Sequence, residues 1–195
     1  MNPKPAPDLN GLFGAPRAMP ILRQIAQLGH PVLRSAASLI DLPISAELRT
    51  LADDMLATLR EADGVGIAAP QVYEPLALFI VASRPNPRYL DAPAMEPEIV
   101  INPEIVGRSE EMVKGWEGCL SIPGIRGLVP RHRWIRARYR TVEGIEVERE
   151  FIDFVARIFQ HEEDHLQGIV FLDRLDSTRD LITESEYRKQ GVGRC

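Results

Sequence analysis

Apolar positions along this chain recur with two periods, and each period predicts a different kind of element. After Ser45, residues Leu48, Leu51, Ala52, Met55 and Leu59 fall on one side of a 3.6-residue spiral. An amphipathic helix is expected there, capped by the Ser45 hydroxyl and ended by Gly64. Leu76–Ala82 and Ile99–Asn102 are short, nearly continuous apolar runs and read as buried strands. Arg133–Thr141 and Ile145–Phe151 bracket Glu143-Gly144, which predicts a hairpin. The helical period returns from Asp153 to Gln167, where Phe154, Ile158, His161 and His165 share one face. Gly168 then stands where a C-cap would end the helix. Ser177 is placed to cap a last helix through Lys189. No internal repeat is present. The sum is an α+β fold, with short, mainly antiparallel strands around a central helix.

Composition narrows this picture without changing it. A chain of 195 residues, 45% hydrophobic and 26% charged, suffices for one domain with a sizeable core, expected over residues 20–195. Residues 1–19 are rich in Pro, Gly and Ala, carry only Lys4, Asp8 and Arg17 as charges, and read as a flexible extension. They lack the apolar core of a secretory signal, and Arg and Ser are too scarce for a typical transit peptide, so an organellar destination is the second reading. No apolar run is long enough to span a bilayer. The net charge of −5 argues against a nucleic-acid partner. The local run Arg131, Arg133, Arg136, Arg138 and Arg140 reads as the solvated face of a strand. Two cysteines, Cys119 and Cys195, imply no disulfide framework and suit a reducing cytoplasm. Cys195 ends a stretch expected to fray.

The chemistry concentrates in residues 161–165, His-Glu-Glu-Asp-His. Helix positions four apart share a face, so His161 and His165 can reach one metal ion. Glu162 beside them can handle the proton of a metal-bound water. A catalytic site of this kind takes a third protein ligand and keeps one position open. No His or Cys follows His165 before Cys195, whereas Cys119 lies upstream in Glu-Gly-Cys-Leu-Ser. A thiolate with two imidazoles favours a soft or borderline transition metal over magnesium or calcium. On these residues alone the alternatives stay open. The motif can ride on a surface helix, the histidines can be satisfied core residues, and Cys119 can be a buried free thiol. A nucleophilic Cys–His pair is also conceivable, but it leaves Glu162 and the second His unused.

Nearby residues carry similar pairs of readings. Gly64 and Gly66 permit close approach to a ligand or a positive φ; without a third Gly they are no dinucleotide fingerprint. Gln71 can donate its amide N–H₂ to an oxyanion, or simply pack after Pro70. Asp164 can orient a ligand His, but a solvated role is expected for it and for Glu163. Glu117 and Arg131 are expected to form a structural salt bridge.

Three blocks then stand in a telling order: GVGIAAPQ at Gly64–Gln71, EGCLS at Glu117–Ser121 and QHEEDH at Gln160–His165. Together they resemble the three signature motifs of peptide deformylases, over a stretch from Pro20 to Leu175. The family more often carries Leu where Ile67 stands, a change between similar apolar residues. The resemblance implies removal of the formyl group from the N-terminal formyl-methionine of newly made bacterial and organellar polypeptides. It implies that Cys119, His161 and His165 bind one divalent metal, Fe(II) naturally, with Zn, Ni or Co as substitutes. Glu162 would be the general acid/base acting on metal-bound water, and Gln71 with the Leu120 backbone N–H would hold the formyl oxygen. Gly64, Gly66, Ile67, Phe154 and Ile158 would meet the substrate. Arg126, after SIPGI, would bond a peptide carbonyl, or else be one more basic residue of a solvated strand. The arrangement of elements also resembles the family fold. Expected partners are nascent formyl-Met polypeptides and the ribosome near its exit tunnel, in a bacterial cytoplasm. Two other functions compete. A zinc endopeptidase could use the same HEEDH, and would cleave unblocked peptides. A structural metal module or inactive peptide binder could keep the ligands, but structural sites are usually closed by four protein ligands, and Glu162 and Gln71 would then have no task.

Overall fold

Two antiparallel sheets meet along one helix in this computed structural model, which describes residues 19–190. All but the last residue of the expected N-terminal extension, and Cys195, lie outside the described residues. In chain order the elements are α1 (Ala46–Glu61), β1 (Gly66–Ala68), β2 (Leu78–Val81), β3 (Glu98–Arg108), β4 (Met112–Cys119), β5 (Ile122–His132), β6 (Trp134–Arg140), β7 (Glu146–Ile152), α2 (Asp153–Leu166), β8 (Leu181–Thr183) and α3 (Glu184–Lys189). The larger sheet has the order β1-β2-β3-β6-β7 and the smaller β4-β5-β8. The mixture of helices with antiparallel strands is the α+β class expected.

The strongly periodic segments fold as their patterns predict. Ser45 Oγ accepts from Leu48 N–H at 3.2 Å and caps α1, whose predicted stripe is buried. The apolar face of α2 packs its Ile158 and Phe159 into a core with Phe79, Tyr139 and Phe151. Phe159 meets Phe79 edge-on at 4.9 Å, a favoured geometry for aromatic rings. The helix contacts β1, β2, β6 and β7 of one sheet and β5 of the other. Gly168 follows it at φ +72, and a Cβ there would lie 2.7 Å from the Arg34 backbone, so both conformation and space require glycine. No helix among the described residues is long and apolar enough to cross a membrane.

Other expectations need correction. The strand expected at Ile99–Asn102 continues to Arg108. Pro103 suggested a stop, but register shifts between Ile101 and Glu104 absorb it, with Asn102 at φ +50. The helix expected from Ser177 to Lys189 is broken. Ser177 caps only the 3-10 turn Thr178–Asp180, β8 follows, and α3 starts under Thr183. Pairing of Leu181–Thr183 with the free edge of β5 outweighs local helix preference. The arginine run is not one solvated face. Arg136, Arg138 and Arg140 form exposed pairs with Glu148 and Glu146, each worth about 0–1 kcal/mol. Arg131 belongs to β5 and is buried against Glu117 and Asp164.

Candidate metal centre

Cys119 ends β4, and His161 and His165 sit one turn apart on α2. Their ligand atoms all lie within 4.8 Å of one another, and all three residues are buried. Cys119 Sγ is 3.3 Å from His165 Nε2, close to the ~3.6 Å that two donors around one tetrahedral ion would show given Zn–S and Zn–N bond lengths. His161 Nδ1 donates to Glu117 Oε2 at 2.9 Å, which leaves Nε2 with its lone pair for a metal. Burial works against an ionised Cys119, but the neighbouring His165 and His161 outweigh it and hold the thiol well below its ordinary value. The donor set therefore fits a transition-metal ion.

Glu117 is the anchor behind His161. Arg131 holds it by Nε at 2.9 Å and Nη2 at 3.0 Å, and extends Nη1 to Asp164 at 2.6 Å. Burial would raise the Glu117 carboxyl, but Arg131 and His161 pull it far below its usual range. The expected Glu117–Arg131 pair is thus present. Asp164 is not solvated as expected: it is 2% exposed and also bonds Arg174. Helix position alone does not distinguish a solvated aspartate from one facing a buried arginine. Glu163 is half-buried and accepts from Gln167.

Gln71 lies in the 3-10 turn Ala69–Val72 just after β1. Its Oε1 accepts from Ala68 N–H at 2.8 Å, so Nε2 must point the other way, 3.1 Å from Ser121 Oγ and 3.4 Å from Cys119 Sγ. A strap near the chain start ties this turn to the Cys119 loop. Ala26 N–H donates to Gln71 O at 2.8 Å, and Leu28 N–H to Ser121 O at 2.9 Å. Nothing in local periodicity signals that strap.

Glu162 is 4% exposed, and its Oε2 has no hydrogen-bond partner among the described residues. Burial pushes its carboxyl up to about 7, against the pull of His161 and His165. The other oxygen lies against Gly66, where a Cβ would come 2.3 Å from Oε1. Gly66→Ala should therefore displace the carboxylate and cut turnover on the order of 10-fold, since small misplacements of reacting groups are costly. Metal content should not change; normal kcat in that variant would show that the Glu162 position is unimportant.

The centre opens into a narrow cleft. Gly64, Gly66, Leu120, Phe154 and Ile158 are among its walls, with Gln71, Cys119, His161 and Glu162. Two residues expected at the substrate are placed elsewhere. The Ile67 side chain is fully buried in the core with Leu59 and Ile80, and the residue is not a cleft wall. Arg126 is fully buried, bound to Glu184 by Nε at 2.6 Å and Nη2 at 3.0 Å, and is not a cleft wall. Its strand pairing and the arrival of α3 decide this, and neither is local. Walls that sequence reasoning missed are Arg88, Tyr89, Trp116 and Arg157. Arg157 carried a signal, because it lies four residues before His161 on the same helical face.

Burial would raise the Glu184 carboxyl, but Arg126 overrides this and holds it below its ordinary 4.5. Its stabilising effect is full above that value and fades as pH falls through the lowered pKa. Glu184→Gln should cost roughly 2–3 kcal/mol at neutral pH, less than a fully buried pair because Glu184 keeps 21% exposure. The gap between wild type and variant in urea melts should narrow and close as pH falls through that lowered pKa. A gap that persists there would assign the loss to packing.

The family model described as polypeptide deformylase matches residues 22–180. Peptide deformylase 2 of Nostoc sp. is 55% identical over 170 residues, covering 87% of this chain and 95% of that protein. Peptide deformylase 1 of Bordetella pertussis is 46% identical over 165 residues, covering 84% and 94%. The crystal structure of a class I type b peptide deformylase from Acinetobacter baumannii, bound to Met-Ala-Ser, superposes with a TM-score of 0.79 at 48% identity, covering 80% of this chain and 100% of that one.

Proposed function

The chain belongs to the polypeptide deformylase family, and from that premise we propose that Cys119, His161 and His165 hold its metal ion while Glu162, Gln71 and Leu120 act on the substrate. The protein is a hydrolase that removes the formyl group from the N-terminal methionine of polypeptides, as its deformylase relatives do. The observation that carries the residue assignment is the buried Oε2 of Glu162, which has no partner among the described residues, beside a Cys-His-His cluster that opens on the cleft.

When bound, the ion supplies Lewis acidity, which lowers the pKa of water and polarises a carbonyl. Glu162 Oε2 takes the proton that water gives up and returns it to the departing amine nitrogen. Gln71 Nε2, its direction fixed by the Ala68–Oε1 bond, donates to the formyl oxygen together with the Leu120 N–H. Donors of this kind contribute about 2.7–4 kcal/mol each when charge develops on that oxygen. Gly64 and Gly66 let the peptide come close, and Phe154 and Ile158 receive the methionine side chain and keep water out.

The ion is proposed to be Fe(II), with Zn, Ni or Co able to substitute. Residues 20–195 would work as one catalytic domain. Nascent chains emerging near the ribosomal exit tunnel would be the substrates, in a bacterial cytoplasm; the relatives named above are bacterial. The test is metal analysis of anaerobically purified protein, with turnover of formyl-Met-Ala-Ser and of unblocked peptides. Deformylation without internal cleavage supports the assignment, and cleavage of unblocked peptides would make it an endopeptidase. Iron-loaded protein should lose activity in air, because iron and the Cys119 thiolate are both oxidisable, whereas zinc, which has no redox chemistry, and nickel should give air-stable protein. Air-stable iron activity would count against Fe(II) as the working ion.

A further inference from the structure

Residues 21–28 form the strap that crosses behind the metal centre, and it is anchored first on α1. Ile21 N–H donates to Asp54 Oδ1 at 2.9 Å, Arg23 Nε to Asp54 Oδ2 at 3.0 Å and Arg23 N–H to Thr58 Oγ1 at 2.8 Å. Asp54 and Thr58 are buried polar residues four apart on one helix face. The reaction gives them no task, whereas the strap uses both. Beyond this anchor Ala26 is fully buried. Its N–H donates to Gln71 O at 2.8 Å, and Leu28 N–H donates to Ser121 O at 2.9 Å. Gln27 Nε2 adds a longer bond to Leu120 O at 3.4 Å.

These acceptors belong to the two segments that carry the proposed donors to the formyl oxygen. Gln71 supplies one donor. The other, Leu120 N–H, lies in the two-residue connection Leu120–Ser121 between Cys119 of β4 and Ile122 of β5. Peptide units are planar, so a turn of the Ser121 carbonyl in so short a connection carries the Leu120 backbone with it. The strap itself is not a cleft wall. It ties together two groups that must converge on one oxygen, and donors stabilise an oxyanion only when held at its position.

We infer that the strap is a positioning element of the reaction, in which main-chain bonds from Ala26 and Leu28 set the separation of the Gln71 and Leu120 donors. The inference rests on the assignment of those two groups to the formyl oxygen.

The strap contains a turn that makes the test possible. His30 N–H closes on Gln27 O at 3.0 Å, and Gly29 has φ +104. This is the pattern of a type II turn, whose second position suits proline. Leu28 holds that position with its side chain 44% exposed. Leu28→Pro therefore suits the local backbone, yet it deletes the N–H bonded to Ser121 O and sets a ring carbon against that oxygen. The experiment measures kcat, KM and metal content with formyl-Met-Ala-Ser. Relative to Leu28→Ala, which retains the N–H, Leu28→Pro should lower kcat about 10-fold with KM and metal content unchanged, since misplaced reacting groups are costly. In a Gln71→Ala background the same exchange should cost less than about 3-fold, because one of the two donors it aligns is gone and coupled sites lose additivity. A purely structural role, acting through stability or metal retention, would cost the same factor in both backgrounds. If Leu28→Pro does not fold, Arg23→Ala, which frees the strap from Asp54 and Glu74, decides by the same comparison. An unchanged kcat, or an equal loss in both backgrounds, overturns the inference. Gln71→Ala with wild-type kcat overturns the donor assignment on which the inference rests.

Discussion

Glu162→Gln should keep the fold and the metal yet lose at least ~10²-fold in turnover, the usual scale for a positioned general acid/base. The substitution is nearly isosteric, so the close approach to Gly66 survives. Glu162 is not one of the three clustered ligand residues, so metal content should match wild type. What disappears is an oxygen that can carry a proton: Oε2 is buried with no partner among the described residues, in a place where burial already raises its proton affinity. A cation held by the neighbouring ligands would lower that affinity again by attraction, so the working group is poised between holding and releasing a proton. The loss should appear in kcat rather than KM, because the carboxyl does its work after binding. Near-normal turnover of the metal-loaded variant would falsify the role.

Cys119→Ser should lose tight metal binding altogether. A neutral hydroxyl is a far poorer ligand than a thiolate, and two imidazoles remain. Removal of a partner outside the ligand shell already weakens metal sites by ~10–100-fold, so loss of a direct ligand should exceed that range. The consequence reaches stability. A metal at 100 times its dissociation constant stabilises the native state by about 2.7 kcal/mol, and the Ser variant should show no rise in melting temperature when metal is added. Cys119 also lies 3.4 Å from Gln71 Nε2, so the two catalytic loops should loosen together. Full metal retention, measured by elemental analysis after dialysis, would assign the third ligand elsewhere.

Much of the site was legible because its chemistry is local. His161, Glu162 and His165 lie within five residues, and the helical period that places both imidazoles on one face also places Phe154 and Ile158 there. The same logic gave α1 and its Ser45 cap. The smaller sheet was not legible. Gly115, Gly118, Gly124, Gly127, Pro123 and Pro130 interrupt any alternation along β4 and β5, and those interruptions are what the site needs: Gly115 makes room for Arg157, and Gly118 lies beside Arg88 and Tyr89. Charged residues misled for a related reason. Arg131, Asp164 and Arg126 look like solvent residues until their partners are known, since burial of a charge depends on a partner distant in sequence.

By itself, then, the sequence marked the candidate donors, the helix that carries two of them, and, through three ordered motifs, the family. Only the tertiary structure decided how those pieces meet. Cys119 and His165 are 46 positions apart, and Gln71 and Cys119 are 48 apart. Their contact depends on the register of β4 against β5, on α2 lying between two sheets, and on a strap at Ala26 and Leu28 that joins two loops by main-chain bonds. Periodicity reports which face of an element is apolar. It holds no information about which distant backbone will offer a free N–H, because that is settled by closing long loops around a shared core.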